Sequence, residues 1–439
     1  MSPAIPMKFI KWTFIKSLFS VFCFLQMSIA FAQLPSNPTP PPRDSSEHIP
    51  GLGFQVFDGK KGSLSISFFA TFRYLNQKGF DSTFTDSFGR SFNVKRRNDM
   101  QFQKLMIYFK GWITNPKFRY LFYAWTANTN LGLPAQVVLG GNFQYLINKH
   151  FDVGAGIGGL PATRGLIGQW PFWLRSDNRP MAEEFFRGSF TTGIWMQGEI
   201  TRNLYYKTML GNNLSQLGVN ANQLDGKLDT YSLALWWSSS KYGRISPYGD
   251  FNKTPILAGT FGAAYTRSTE TKQSQPSSEK PENTQLRLSD GTIIFNENAF
   301  GPGLGVNQAK YEMTSINTGV KLKGYSLDFE YYLRWLSKFK SDLPLPVNSL
   351  FDHGFSTQAS GIVIPQKLQV YGQASKLFGQ YGKPWEVGVG INWYPFMSRM
   401  LRINGEFLHV KRSPVGYISY VTNVGATGNA LMVNLELFF

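Results

Sequence analysis

Apolar and polar residues alternate along most of this chain. The pattern is clearest in YSLDFEYYLRW, where Tyr325, Leu327, Phe329, Tyr331, Leu333 and Trp335 share one parity. Ser326, Asp328, Glu330, Tyr332 and Arg334 share the other. A helix would scatter these acids and apolar residues over every face, whereas a strand separates them. SLSISFFATFRY (63–74), RGSFTTGIWMQGEI (187–200), WEVGVGINWY (385–394) and NALMVNLELFF (429–439) repeat the pattern. Weaker segments lie near 98–112, 117–127, 136–146, 151–158, 203–212, 229–238, 255–266, 311–323, 364–374 and 401–411. They run about 10–13 residues, the length of membrane strands rather than of the shorter strands in soluble sheets.

Two further features predict a membrane barrel. Aromatic residues gather at segment ends, as interfacial girdles require: Tyr74, Trp112, Trp125, Trp195, Trp236, Trp237, Trp335, Trp385 and Trp393. Connections also alternate in length. Those at 113–117, 147–151, 200–204 and 322–326 are tight, and those at 75–97, 159–186, 268–310 and 338–363 are long. Lipid offers no partner to a free strand edge, so a spanning sheet must close on itself. An even strand number is expected of such barrels, which predicts about 16 strands with short periplasmic turns and long outer loops. The segments above number fifteen, so a further strand is expected within 338–363. The fold class is therefore all-β, a transmembrane antiparallel β-barrel.

The two ends fit an exported barrel. MKFIKWTFIKSLFSVFCFLQMSIAFAQ (7–33) has a lysine-bearing start, an apolar run and a small-x-small finish at Ala30-Phe31-Ala32. Residues 1–32 are read as a signal peptide cut before Gln33. It takes the lone cysteine, Cys23, with it, which excludes a disulfide framework and a cysteine metal site. Residues 33–61 begin QLPSNPTPPPRDSSEHIP and are read as a Pro-rich linker, and 62–439 as the barrel. The last segment is expected to pair with residues 62–74 to close the barrel. Phe439 is read as a terminal aromatic presented to the barrel-insertion machinery.

Composition adds a basic balance: +17 overall, three of those charges from lysines of the signal segment, with 16% aromatic residues and a mean hydropathy of −0.20. Export and the lack of basic runs exclude nucleic acid as the partner. Contact with anionic lipids or attraction of small anions remain. With apolar faces toward lipid, the lumen-facing basic residues are Arg73, Lys104, Lys110, Arg119, Arg187, Lys207, Lys321, Lys323, Arg334, Lys367 and Arg402. The lumen-facing acids are Glu199, Asp328, Glu330, Glu386, Glu406 and Glu436. A basic excess in a narrow low-dielectric path favours anions, and arginine forks suit phosphate. The connection 159–186 adds Arg164, Arg175 and Arg179, together with Trp170, Phe172 and Trp173 for packing against the wall. It either folds inward or lies exposed.

Other motifs carry no chemistry. GAGIGG (154–159) matches a dinucleotide fingerprint in form only, since Leu160-Pro161 follows it and no helix period appears. GPGLG (301–305) is a loop. His48, His150, His353 and His409 lack metal-ligand spacing, and no serine partner for His409 is evident. No catalysis, metal or cofactor is expected.

Three stretches resemble the phosphate-selective O and P porin family of Gram-negative outer membranes. VKRRNDMQFQKLMIYFKGWI (94–113) is similar to its early strand, with paired basic residues at entry and Lys110-Gly111 at exit. The block 153–200 matches at Gly158, Pro161, Arg179, Arg187, Gly193 and Gly198. VGVGINWYPFMSRMLRINGEFLHV (387–410) and the final segment resemble its Asn-Trp-Tyr-Pro turn and closing strand. The resemblance implies a homotrimer of 16-stranded barrels, inward-folded loops and an arginine-lined path for anions such as phosphate. Other readings are a channel of general or different specificity, and a non-conducting barrel enzyme or adhesin.

Overall fold

The computed structural model describes residues 53–127, 136–168, 170–215, 227–274, 286–416 and 420–439. The expected signal peptide, residues 33–52 of the expected linker and His48 lie outside the described residues. All fifteen alternating segments are strands, with ends shifted by a few residues, and a sixteenth lies where the even-number argument placed it. In chain order the strands are β1 (Phe54–Gly59), β2 (Gly62–Phe80), β3 (Thr83–Thr85), β4 (Ser91–Asn93), β5 (Asn98–Ile113), β6 (Asn115–Ala127), β7 (Gln136–Asn148) and β8 (Phe151–Gly159). They continue as β9 (Phe190–Thr201), β10 (Leu204–Gly211), β11 (Thr230–Ser238), β12 (Ala258–Thr271), β13 (Gln308–Leu322) and β14 (Tyr325–Lys340). The last five are β15 (Leu350–Ile364), β16 (Leu368–Phe378), β17 (Trp385–Trp393), β18 (Leu401–Lys411) and β19 (Gly428–Phe438). β2 and β5–β19 form a closed antiparallel barrel of 16 strands, and β3–β4 is a small hairpin beside it. β15 is the strand expected within 338–363.

Closure is by β19 on β2, with Val433 opposite Tyr74 and Leu435 opposite Phe72. Phe439 and Phe68 then exchange two backbone hydrogen bonds of 2.9 and 3.1 Å. β1, inside the stretch read as linker, occupies the remaining edge of β2 with Phe54 opposite Ile66. Its Phe54 ring lies 4.2 Å from that of Phe439.

Burial follows the parity of the sequence, inverted relative to a soluble sheet. Leu431, Val433 and Leu435 are exposed while Met432, Asn434 and Glu436 are buried, and β14 and β17 behave alike. This outer apolar band is far larger than a water-soluble surface tolerates and fits the hydrocarbon layer. Val389 sits at the middle of β17 with its side chain outward. Val389→Arg is expected to destabilise the folded barrel by about 2–4 kcal/mol, as for a midplane cation. Equilibrium refolding into lipid vesicles checks this, and a change confined to a few tenths would place Val389 away from lipid.

One rim carries tight turns, several with a left-handed residue: Thr114 at φ 61°, Asn203 at φ 69° and Lys323 at φ 49°. Lys323 and Lys367, expected on lumen faces, instead occupy exposed turns at this rim, because β13 ends at Leu322 and β16 begins only at Leu368. The connection 239–257 breaks the short-turn pattern. It is long, and Tyr242, Tyr248, Asp250 and Phe251 within it are buried. Three expected girdle residues, Trp125, Trp195 and Trp236, are also buried and face inward, whereas Trp237, Trp335 and Trp393 stay outside. Outward rings do cluster elsewhere, with His353 4.9 Å from Phe378 and Trp385 5.1 Å from His409.

Candidate functional site

The connection from β8 to β9 (160–189) runs into the lumen, and nearly all its described residues are buried. Its polar groups find partners on the inward faces of the wall. Arg175, fully buried, lies 2.7 Å from Glu406 and 3.4 Å from Glu386. The short helix α1 (Met181–Phe186) starts against that wall, its Met181 N–H donating to Glu386 at 2.5 Å and its Ala182 N–H to Ser375 at 3.2 Å. Ser176 donates to Glu436 at 2.8 Å, and Ser315 to the Ala162 carbonyl at 2.9 Å. Apolar packing completes the seal. Leu160, Met181, Phe185 and Phe186 join Tyr311, Met313, Tyr332, Leu408 and Met432 in one cluster inside the barrel. The connection 239–257 meets this plug: Tyr242 and Asp328 both bond Arg164, and the Tyr248 N–H donates to the Phe172 carbonyl at 3.2 Å. The lumen beside β13–β19 is therefore filled.

Ten of the fourteen basic residues expected to line the lumen fall into distinct settings. Arg164 pairs with Asp328, Arg175 with Glu386 and Glu406, and Arg187 with Glu184 at 2.8 Å. Arg334 pairs with Asp352 at 2.7 Å and stacks on Phe185, and Arg402 pairs with Glu436 at 2.7 Å. Arg73 donates to Asn434 at 2.6 Å and to the Ser176 carbonyl at 2.9 Å. Burial lowers the pKa of Arg164 and Arg175, but the facing carboxylates outweigh it, so both are held charged more firmly than free arginine. The same burial raises the pKa of Glu183 against the opposing pull of Arg179. These six arginines fasten the loop or brace the wall. The remaining four differ. Lys104 lies 2.9 Å from Asp177, Arg179 stacks 4.5 Å over Trp173 with Glu183 and Glu184 at 3.7 Å, Lys207 is half-buried, and Arg119 is exposed near the tight-turn rim.

Lys104, Arg179 and Lys207 converge on a cavity of about 330 Å³ between the loop and the wall of β5–β10. Tyr108, Tyr123, Trp125, Trp170, Trp173, Phe190 and Trp195 line it, and Asp177 is the one acid among the lining residues. Glycines make room for two of these rings. A Cβ at Gly154 would lie 2.3–2.5 Å from Trp195, and one at Gly140 2.5–2.7 Å from Tyr123. Each ring thus covers a bare stretch of neighbouring backbone. This is the structural role of the first glycine in GAGIGG. Gly154→Val is expected to displace the Trp195 indole and cost about 1–3 kcal/mol, the usual penalty of overpacking. A lowered unfolding midpoint with shifted tryptophan emission checks it; an unshifted midpoint would mean the indole has room to spare.

Sequence reasoning missed the aromatic cavity, although the signal was present. Trp195 shares its parity with Gln197 and Glu199, so it had to face inward with them. The counter-acids Asp177, Glu183, Glu184 and Asp352 were missed because they lie in the loop or on the strand that had not been placed. Among the described residues no cluster of His, Cys, Asp or Glu could hold a metal ion. His150, His353 and His409 bond Glu199 O, Tyr331 and Asn429 respectively.

The chain is similar in fold to several solved outer-membrane proteins. Outer-membrane expressed OmpT of Vibrio cholerae superposes with a TM-score of 0.51 at 8% identity, over 87% of this chain and 99% of that one. The outer membrane channel DcaP of Acinetobacter baumannii gives 0.51 at 8% identity, over 88% and 99%. Salmonella typhi OmpF, in a complex with daunomycin, gives 0.52 at 11% identity, over 88% and 100%. At these identities the likeness is one of architecture. No protein-family model matches the chain, and no curated protein matches it in sequence.

Proposed function

We propose that this protein is a passive diffusion channel of a Gram-negative outer membrane that passes small anionic solutes, phosphate among them. One observation carries the anion part: the Lys207 ammonium faces the open side of the lumen, and no described residue gives that ammonium a hydrogen bond or an ion pair. Its charged neighbour Arg244 has the same sign. Lys104, Arg119 and Arg179 line the same half, and the arginines paired to acids serve as fasteners of the constricting loop. Such a path concentrates anions and repels cations. Membership of the barrel fold shared with outer-membrane channels supports the location, and the outward apolar band supports contact with outer-membrane lipids.

The reading includes a homotrimer. An outward patch of rings in contact, Phe118 stacked on Phe143 and Phe122 edge-on to it, on β6 and β7, offers a surface for a second copy. The mass of the detergent-extracted particle tests this part separately. For the channel itself, the protein reconstituted in a planar bilayer is expected to give a reversal potential of anionic sign in a KCl gradient. Cation selectivity would sink the anion reading, and silent bilayers with ester hydrolysis would favour an enzyme.

A further inference from the structure

The cavity beside β5–β10 has a chemistry ill suited to bare phosphate. A tetrahedral dianion is best met by arginine forks that donate pairs of parallel hydrogen bonds. Here the forks of Arg164, Arg175, Arg187, Arg334 and Arg402 are engaged by carboxylates of the loop and wall. What lines the space is the Lys207 ammonium, a point charge suited to a monoanion, together with Lys104 paired to Asp177 and one arginine, Arg179, stacked on Trp173.

We infer that this cavity is a binding station for a small organic anion with a flat apolar body, of which an aromatic carboxylate is the simplest. Seven aromatic side chains line the space, and flat aromatic faces gain most from a flat partner. Two of the cations already lie against ring faces, Lys104 5.4 Å over Trp125 and Arg179 4.5 Å over Trp173, so charge and apolar surface alternate round the wall.

The polar groups left over argue against a hydroxyl-covered body such as a sugar. The Asn142 amide donates to the Ile157 carbonyl at 3.0 Å, and Gln144 and Gln197 both bond Asp152. Asp177 takes Lys104 and the Trp170 indole N–H at 3.1 Å. Donors exceed acceptors even so, since the indole N–H groups of Trp125 and Trp173 have no acceptor among the described residues. Size agrees: about 330 Å³ lies at the small end of ligand pockets, about 300–1,000 Å³. An apolar cavity of about 150 Å³ already accommodates benzene.

The inference rests on the channel reading for the ligand's route but not for its binding, so the two can fail separately. The test is isothermal titration of the detergent-purified full chain with benzoate, benzamide, inorganic phosphate and glucose 6-phosphate. Benzoate is expected to bind at least about tenfold more tightly than each of the other three, a difference of about 1.4 kcal/mol. Lys207→Met is expected to weaken benzoate by a similar factor, and Lys207→Arg to retain it. Trp125→Leu should weaken benzoate and leave phosphate unchanged. Retained heat-modifiable migration of each variant shows that it has folded. Phosphate or benzamide binding as tightly as benzoate overturns the inference, as does unaltered benzoate affinity in both Lys207→Met and Trp125→Leu. Benzoate binding with silent bilayers overturns the channel and leaves the site. Anion conduction with benzoate and phosphate indistinguishable does the reverse.

Discussion

Arg175→Met is expected to raise the single-channel conductance several-fold while the barrel itself stays folded. Arg175 is fully buried between Glu386 and Glu406, which also receive Met181 N–H, Tyr371 and Tyr420. Removing its charge leaves two buried carboxylates without a counter-ion, a loss of about 3–5 kcal/mol when one partner of a buried pair is deleted. The sixteen-strand ladder does not depend on that pair, because its hydrogen bonds run from backbone to backbone around the closed wall. The least costly relief is for the loop to withdraw from β17 and β18 and let water reach the acids. Withdrawal unplugs the filled half of the lumen. Conductance should rise, and the loop should become cleavable by added protease without loss of heat-modifiable migration. Adding Glu386→Gln and Glu406→Gln to Arg175→Met removes the stranded charges and should return conductance most of the way to wild type. An unchanged conductance in Arg175→Met, with the loop still resistant to protease, would show that packing alone seats the loop.

The wall of this barrel was legible because parity is a one-bit property that lipid enforces at every position. Leu431, Val433 and Leu435 could only face outward once Glu436 and Asn434 faced inward. Parity does not say what an inward side chain meets. Arg402 is directly opposite Glu436 and Arg334 directly opposite Asp352, so both pairs become readable as soon as strand register is known. Register was out of reach for Arg334, since the strand carrying Asp352 had not been delimited. Arg175 is a different case. Its two acids lie on β17 and β18, more than two hundred residues away, and only the inward path of the loop brings them together. The basic excess counted along the strands therefore overstated free charge, because much of the opposing acid sits where alternation cannot assign a face. The same limit hid the cavity: Trp125 and Trp195 looked like girdle residues by type, and only their parity betrayed them.

Lys207→Glu is expected to abolish the anion preference of the channel, and to reverse it at low salt. The substitution changes the cavity by two charges without touching the loop's fasteners, because no described residue bonds the Lys207 ammonium. At an effective dielectric of about 20, a unit charge about 7 Å from a passing ion acts with about 2 kcal/mol. Losing an attractive charge and gaining a repulsive one thus removes about 4–5 kcal/mol of local preference for an anion before screening. Screening makes the prediction sharper. The Debye length is about 10 Å at 0.1 M salt and about 3 Å at 1 M, so the shift should be large in dilute KCl and mostly gone in concentrated KCl. Lys207→Gln should give about half the shift of Lys207→Glu, and Lys207→Arg almost none, since both follow the charge and not the side-chain shape. Reversal potentials measured across this series at two salt concentrations decide the matter. If Lys207→Glu keeps the wild-type reversal potential in dilute KCl, ions do not pass the face of β10, and the conducting route must lie elsewhere in the barrel.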